Sequence, residues 1–507
     1  MKQFIRLTLL SMGLLCAVVG AKAQQVTPGA FGYYSDALRY SQTNNLGSAR
    51  LAGLAGSGMA LGGDIGSIGL NPAGLGLFNR SQFVITPGIS LNTSDNLFLG
   101  NNINTEESNF DLANFGLVIN FESGSGAWKS GSLGITYNRV NDFRQNFFFR
   151  GQNPNNSIID AMLEQANGFF PEELGGLAQV GFDHYLINPI PGAEDNYDSF
   201  VLGFPEQVET IRTTGATDEI RIAYGTNFED KIFLGGGIGI VTTNYTYSRI
   251  FTENFTGEPL SSFTIDERLD VNGTGVNVNL GVIFRPTDFV RLGATYTSPT
   301  WYSFSEESDI FYNSEYNNYD VANFVDDFGN RIIQEDTVLN SLNSNTDLFF
   351  SDFTLRTPSK FTAGAAFFLN KSGFITADIE YLDYSNSHVS SRDFFEDADN
   401  QTINNIYQSV TNIKLGAEYR YKLFRFRAGY SRLGDPFQDG FDDLDRTRTI
   451  IAAGVGLNFG KYFFDLAYTN TSFEQSFAPY TLADGANPVA IADNSLNQTR
   501  ISFGLNF

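Results

Sequence analysis

Apolar and polar positions alternate along much of the chain. In 413–421, Ile413, Leu415, Ala417, Tyr419 and Tyr421 share one face, while Lys414, Gly416, Glu418 and Arg420 share the other. In 424–430, Phe424, Phe426, Ala428 and Tyr430 oppose Arg425, Arg427 and Gly429; in 375–381, Ile375, Ala377, Ile379 and Tyr381 oppose Thr376, Asp378 and Glu380. Successive side chains of a strand point to opposite faces, so each segment is a strand with one apolar and one polar side. The pattern is clearest in the second half of the chain; with the lengths of the connections, strands are read near 81–92, 109–122, 131–150, 206–228, 231–255, 263–285, 288–305, 347–369, 371–391, 406–421, 423–434, 446–459, 461–474 and 494–507. That is about 14 strands, an even number as in single-chain bacterial barrels.

The connections choose between a soluble sandwich and a membrane barrel. Phe228-Glu229-Asp230, Arg285-Pro286-Thr287-Asp288, Asn370-Lys371-Ser372-Gly373 and Phe459-Gly460-Lys461 are short; 151–205, 306–346 and 475–493 are long. Short periplasmic turns alternating with long extracellular loops mark outer-membrane barrels. After Val19 no stretch approaches the roughly 20 apolar residues of a spanning helix, so a membrane chain of this kind closes its backbone hydrogen bonds between strands. The expected fold is all-β: a 14-stranded antiparallel transmembrane β-barrel, its apolar faces toward lipid and its polar faces toward the lumen.

The ends set the compartment. Lys2 and Arg6 precede an apolar run, Leu7 to Val19, and Ala21-Lys22-Ala23 has the small-x-small form of a cleavage site. A leader of 1–23 and a mature start at Gln24 follow. The single cysteine, Cys16, leaves with the leader, because Leu15 stands where a lipobox wants a small residue. The mature chain then has no disulfide and no thiolate metal site. His184 and His388 have no second histidine at ligand spacing, so no metal site and no cofactor is expected. At the other end Ile501, Phe503, Leu505 and Phe507 alternate with Ser502, Gly504 and Asn506. This ending resembles the sorting signal read by the barrel-assembly machinery, with Phe507 as the residue read.

Composition narrows the classes further. The net charge is −24, and −27 once Lys2, Arg6 and Lys22 leave. Nucleic acid, which needs cationic contacts to phosphate, is excluded as a partner. Only 17% of residues are charged while 14% are aromatic, as suits a barrel with aromatic girdles. Asp435, Asp439, Asp442, Asp443 and Asp445 crowd one loop. Their spacing matches no calcium loop, and a solvated extracellular loop is the reading preferred. The acidic 306–346 stretch could meet divalent cations that bridge lipopolysaccharide.

Residues 24–80 do not alternate. Ten glycines fall between Gly47 and Gly76, and glycine permits close backbone approach. No Gly-Lys-Ser/Thr follows, so this is no phosphate loop. Leu51, Leu54, Met59, Leu61, Ile65, Ile68 and Leu70 make it too apolar for a linker. Asn71-Pro72-Ala73-Gly74-Leu75, just before the first strand, resembles the Asn-Pro-Ala motif of the FadL-type long-chain fatty-acid transporters. Further segments resemble that family in order: Phe284-Arg285-Pro286-Thr287-Asp288, Arg291 to Pro299, Thr357-Pro358 with Thr362-Ala363-Gly364, Asp378-Ile379-Glu380-Tyr381, and Asp443-Leu444-Asp445-Arg446. The last departs from the family pattern at Leu444 and in lacking its proline.

The resemblance implies an outer-membrane barrel (81–507) plugged by an N-terminal hatch (24–80). It implies a porin-like but plugged transporter of hydrophobic small molecules that acts by passive, hatch-gated diffusion, with release past the hatch or through a lateral gap in the wall. Asn71, Pro72 and Ala73 would hold the end of the hatch against the wall; Asn-Pro also opens ordinary turns, and both readings stand. Leu51, Leu54, Ile65 and Leu70 would offer an apolar surface to the ligand, facing walls less polar than a porin's. Expected partners are a hydrophobic ligand, outer-membrane lipid and lipopolysaccharide around a monomer, and the assembly machinery. A haem or aromatic-hydrocarbon carrier, or a structural or adhesion barrel, are the rival functions. No motif surrounds either histidine, and an enzyme is not expected.

Overall fold

The computed structural model describes residues 26–27, 29–44, 46–122, 126–326 and 329–507. The leader reading at 1–23 and the mature start at Gln24 lie outside them. The strand segments join into fourteen staves. These are β1 (Gln82–Phe98), β2 (Asn101–Glu122), β3 (Trp128–Asp142, resuming as Gln145–Gln152), β4 (Glu206–Phe228), β5 (Ile232–Asn254), β6 (Leu260–Thr287) and β7 (Val290–Thr297 and Trp301–Asp320). There follow β8 (Val338–Asn345, Phe349–Arg356 and Lys360–Phe368), β9 (Gly373–Asp383 and His388–Ser391), β10 (Ser409–Tyr421), β11 (Phe424–Leu433), β12 (Arg448–Asn458), β13 (Tyr462–Phe477) and β14 (Ala490–Asn506). Each pairs antiparallel with its neighbours, and β1 pairs with β14 from Gln82–Asn506 to Leu97–Ile491, which closes the barrel.

Alternation sorts the two faces. Outward positions such as Ile238 and Ile240 on β5, Val276 to Phe284 on β6, and Ile501 and Phe503 on β14 are exposed on the isolated chain. A continuous apolar belt on a barrel is a lipid-facing surface. Aromatic residues border it at the turn end, among them Trp128, Phe289, Phe424 and Tyr462. About ten residues per strand suffice to span; β6 has 28. Its surplus carries Arg268, Asn272 and Thr274 outward, a wetted wall that rises above the belt.

That wall explains where the sequence reading fell short. It ended the seventh strand at 305 and took 306–346 as loop. β7 runs on to Asp320, and β8 begins at Val338. It likewise left 93–108 between strands, where β1 and β2 continue to a tight hairpin at Leu99-Gly100. Charged strand sections such as 306–309 read as loop because above the membrane neither face need be apolar.

Inside the turn-end half sit short helices, α2 (Ala49–Ala52) and α3 (Ser67–Leu70), and a 3-10 turn, Pro72–Leu77. A longer helix, α1 (Tyr33–Ser41), lies nearer the loop end. There the 153–205 connection folds two further helices, α4 (Ile158–Ala166) and α5 (Gly176–Asp183), onto β5, β6 and β7 in an apolar cluster that includes Met162, Phe251, Phe263 and Tyr316. The loop-end connection between β9 and β10 contains α6 (Asp397–Ile406).

Candidate functional site: plug, cavity and wall gap

The plug is keyed to the wall by glycine. Ten strands, β2 to β8 and β10 to β12, each turn a glycine toward residues 53–75. A Cβ at Gly235 would overlap Pro72 and Ala73; one at Gly429 would overlap Leu54 and Ala55; one at Gly293 would press on Met59 and Ala60. Where the plug backbone meets the wall backbone, no other residue leaves room.

Asn71 sits at this contact, fully buried. Its side-chain oxygen accepts from Ala73 N (3.1 Å) and so caps the 3-10 turn that Pro72 starts. Its Nδ2 donates to Met59 O (3.0 Å) within the plug and to Val282 O (3.2 Å) of β6. Pro72 and Ala73 lie against Gly225, Gly235 and Gly281. Asp378 of β9, which drew no attention as a site in the sequence, holds the other side of the plug: it accepts from Gly58 N (2.7 Å) and Met59 N (3.1 Å). Below, Arg50 reaches Glu418 (3.5 Å) and Asp64 (3.6 Å), and Glu418 also binds Arg420 and Arg427.

Of the four apolar plug residues, two pack on the wall and two within the plug itself. Leu54 packs on Gly416 and Gly429, Ile65 on Gly116 in a cluster with Val84 and Val118, and Leu51 and Leu70 lie against Gly58 within the plug. None of the four lines the cavity above.

That cavity, about 340 Å³, lies between α1 and the wall. Its lining contains eight cationic side chains and four carboxylates, an inversion of the chain's net −24. The wall that faces Leu54 and Ile65 is glycine and valine; at the level of the cavity the inward polar positions of β8 to β14 converge instead. Lys360 donates to Thr43 Oγ1 (2.7 Å), Lys414 pairs with Glu380 (3.4 Å), and Arg448 stacks on Phe473 and donates to Gln42. Among the described residues no carboxylate lies within 4 Å of Arg448 or Arg500. The lining also holds Phe143, Phe147, Tyr245, Tyr247, Phe473 and Phe477, and Arg39 lies over the Tyr245 ring as Arg448 does over Phe473. The space is amphipathic: cations and aromatic rings share its lining.

Helix α1 forms its roof. Asp399 of α6 accepts from Phe31 N (2.8 Å), Gly32 N (3.0 Å) and Tyr34 N (3.1 Å) at the start of α1, and Tyr40 stacks on Phe304. The chain thus enters the lumen at the loop end and descends to the plug.

Beside the cavity the wall lacks a backbone ladder. The β2–β3 ladder stops at Asn114–Asn138. Beyond it β3 pairs with β4 alone, from Gln145–Thr213 to Gln152–Glu206, and Phe147 and Phe149 turn inward onto Phe98, Ala490 and Ala492. Residues on both edges of this gap, Asn109 and Asp111 on β2 and Arg139 to Gln145 on β3, line the cavity.

The remaining sequence candidates sit apart. His184 is buried in the loop-end cap between Ser314 Oγ and Ser344 Oγ (each 2.8 Å); His388 is exposed on β9. Asp442 pairs with Arg446, and Asp435 accepts from Arg446 N (2.8 Å). Phe507 is exposed, and its backbone exchanges two 3.0 Å hydrogen bonds with Ser81, tying the chain's end to the start of β1.

No family model matches the chain, and no curated protein matches its sequence. Solved structures do. A Pseudomonas aeruginosa FadL homologue superposes with a TM-score of 0.56 at 13% identity, over 92% of this chain and 99% of that one. The toluene transporter TodX of P. putida gives 0.51 at 12% identity, and the toluene transporter TbuX of Ralstonia pickettii gives 0.50 at 15%, each with the same coverage. The protein is thus a plugged, closed barrel of 14 antiparallel strands. Its particular architecture is the one shared by the FadL-type channels, and at these identities the likeness is one of fold.

Proposed function

We propose that the protein is an outer-membrane channel of a Gram-negative bacterium, not an enzyme, through which hydrophobic small molecules diffuse passively. The cargo that suits it best is apolar along its body and anionic at one end, with long-chain fatty acids as the fitting class. The carrying observation is the cavity, whose lining joins a surplus of cations to aromatic rings. A carboxylate would give Arg448 and Arg500 a charged partner, and charge-assisted hydrogen bonds are the stronger kind. A neutral aromatic hydrocarbon, the cargo named for TodX and TbuX, would displace water from these cations without replacing it.

Residues 24–80 act as the plug and 81–507 as the barrel. The dense keying of plug to wall weighs against release by hatch movement and favours exit through the gap between β2 and β3. Asn71, Pro72 and Ala73 serve to fix the plug. The barrel acts as a monomer in lipid and lipopolysaccharide, which apolar solutes cross poorly unaided. Phe507 serves the assembly machinery, and Phe507→Ala should lower the yield of heat-modifiable barrel.

The test is uptake by intact cells that lack a fatty-acid channel of their own. Expression should produce saturable entry of radiolabelled oleate, with toluene entering far less. Equal entry of both would favour a hydrocarbon channel; entry of neither would leave a structural barrel.

A further inference from the structure

The gap in the wall is not empty. Beyond the last ladder pair, Asn109 Nδ2 donates to Asp142 Oδ2 (2.9 Å) across it, and Arg139 Nη1 reaches Asp111 Oδ2 at 3.6 Å. Farther up, Asn101 Nδ2 donates to Arg150 O (2.9 Å) and Thr105 Oγ1 to Asn146 O (2.5 Å), so the edges are stitched there. Only the section at Asp111 and Arg139 adjoins both the cavity and the belt.

Arg139 is out of place by the rules of the surface around it. It lies on the outward face of β3, in register with Asp218 of β4, and the next outward pair is Tyr137 with Ile220. Phe110 and Leu112 of β2 and Ile89 of β1 are exposed nearby. A charge on the lipid face is unfavourable to a degree set by its depth. Arg139 has partners on both sides: Asp218 binds its Nε (3.0 Å) and Nη2 (3.3 Å), and the Tyr137 hydroxyl donates to the same carboxylate (2.9 Å). Asp111 meets it from the lumen side, because the register shift opposite Thr86/Pro87 turns the upper part of β2 so that Asp111 faces inward while Leu112 faces lipid. The guanidinium therefore spans the wall from its lipid side to its lumen side.

We propose that Arg139, held by Asp218 and bridging to Asp111, is a latch across the gap, with Asn109–Asp142 as its second bolt, and that a solute leaves the cavity sideways only when these bridges part. The proposal rests on sideways exit. The latch is made of side-chain bonds alone, so it opens without disturbing any strand ladder. An anionic head arriving from the cavity competes with Asp111 for the same guanidinium, which couples opening to the presence of cargo.

The experiment compares two changes in intact cells taking up radiolabelled oleate. Arg139→Gln removes the charge and keeps a polar side chain. It should raise the uptake rate about threefold to fivefold, the scale of a partly exposed ion pair. Asp111→Asn should do the same, and the exchange Arg139→Asp with Asp111→Arg should bring the rate back toward the parent's. Separately, Asn109→Cys with Asp142→Cys, joined by a short bis-thiol cross-linker in a mature chain expected to have no other cysteine, should stop uptake, and cleaving the linker should restore it. Heat-modifiable mobility confirms assembly of each variant. Blockage by the cross-link with no rate change in Arg139→Gln or Asp111→Asn would overturn the latch and leave sideways exit standing. A cross-link without effect would overturn both. A fall in uptake for an assembled Arg139→Gln would assign Arg139 to cargo binding and also overturn the latch.

Discussion

The two halves of the lumen are built on the same staves and by opposite rules. At the turn end the inward positions are glycines, and plug backbone lies on wall backbone. One level higher the inward positions become Lys360, Glu380, Lys414, Arg448 and Arg500, and a cavity opens. The difference lies in side-chain volume. Deleting side chains from ten strands lets a short segment fill the barrel with close contacts, and where long charged ones return, a space is left beside α1, which packs on the wall through Tyr33, Ala37 and Tyr40. Close packing makes the lower half a stopper. Cations and aromatic rings in one lining make the upper half a binding space.

The largest effect should come from breaking the stopper. Gly235→Val puts a branched side chain where Pro72 and Ala73 run, an overpacking of about 3 kcal/mol. It should displace the plug or prevent assembly, and any barrel that forms should conduct ions in planar bilayers. Gly236→Ala, whose Cβ meets the end of Leu280 at 3.2 Å and Asn279 O at an ordinary 3.7 Å, should conduct no more than the parent. If Gly235→Val also conducts no more, the keyed contact is not what holds the plug.

The next largest effect belongs to the upper half. Lys360→Met with Arg448→Met should raise the oleate concentration for half-maximal uptake about tenfold, consistent with losing charged hydrogen bonds. Any residual entry of toluene should be unchanged. A uniform loss for both probes would mean that the cations hold α1 in place and do not recognise cargo. Asn71→Ala removes bonds that join plug to plug and plug to β6 at a cost of about 1–3 kcal/mol. The barrel should remain, uptake should slow and conductance should stay low; a fully open pore would place more of the anchoring on Asn71 than on the glycines.

The smallest effect concerns the cap above the cavity. Burial between Ser314 and Ser344 holds the His184 imidazole below its usual value. A base held down in the folded state stabilises it fully above its unfolded value of about 6.5, and that stability is lost as pH falls from there through the lowered one. Cleavage of the 153–205 loop by added protease on intact cells should therefore quicken as pH falls below about 6.5. In His184→Asn it should change little with pH.

Much of this molecule was legible in the alternation. The second half of the chain alternates clearly, because lipid outside and water inside impose one rule on every spanning residue, and the spacing of short and long connections completed the count of fourteen staves. The same rule failed above the membrane: Glu306, Glu307 and Asp309 lie in strand although no apolar face announces them. The plug was legible as a glycine-rich apolar segment. Its glycine counterparts on the wall were not, since each is one inward residue on a separate strand. Arg139 was invisible for a like reason, and Asp378, though part of a stretch that resembles the family, gave no sign of its contact with the plug; in sequence each is a polar position in an alternating run.

By itself, then, the sequence determined the class of wall and the number of staves, because these follow from local period and the spacing of connections, while the plug was placed in the chain by the resemblance to the FadL-type family. Only the tertiary structure decided what the lumen is. Closing the barrel brings Arg448 of β12, Arg500 of β14 and Lys360 of β8 into one cavity lining with Phe147 and Tyr245. Residues so far apart along the chain share no local pattern. Their meeting depends on stagger between strands, a quantity set by the ladder as a whole. The same closure leaves the β2–β3 ladder short and carries Arg139 across the opening, where its charge gains the partners that a lipid-facing surface would otherwise deny it.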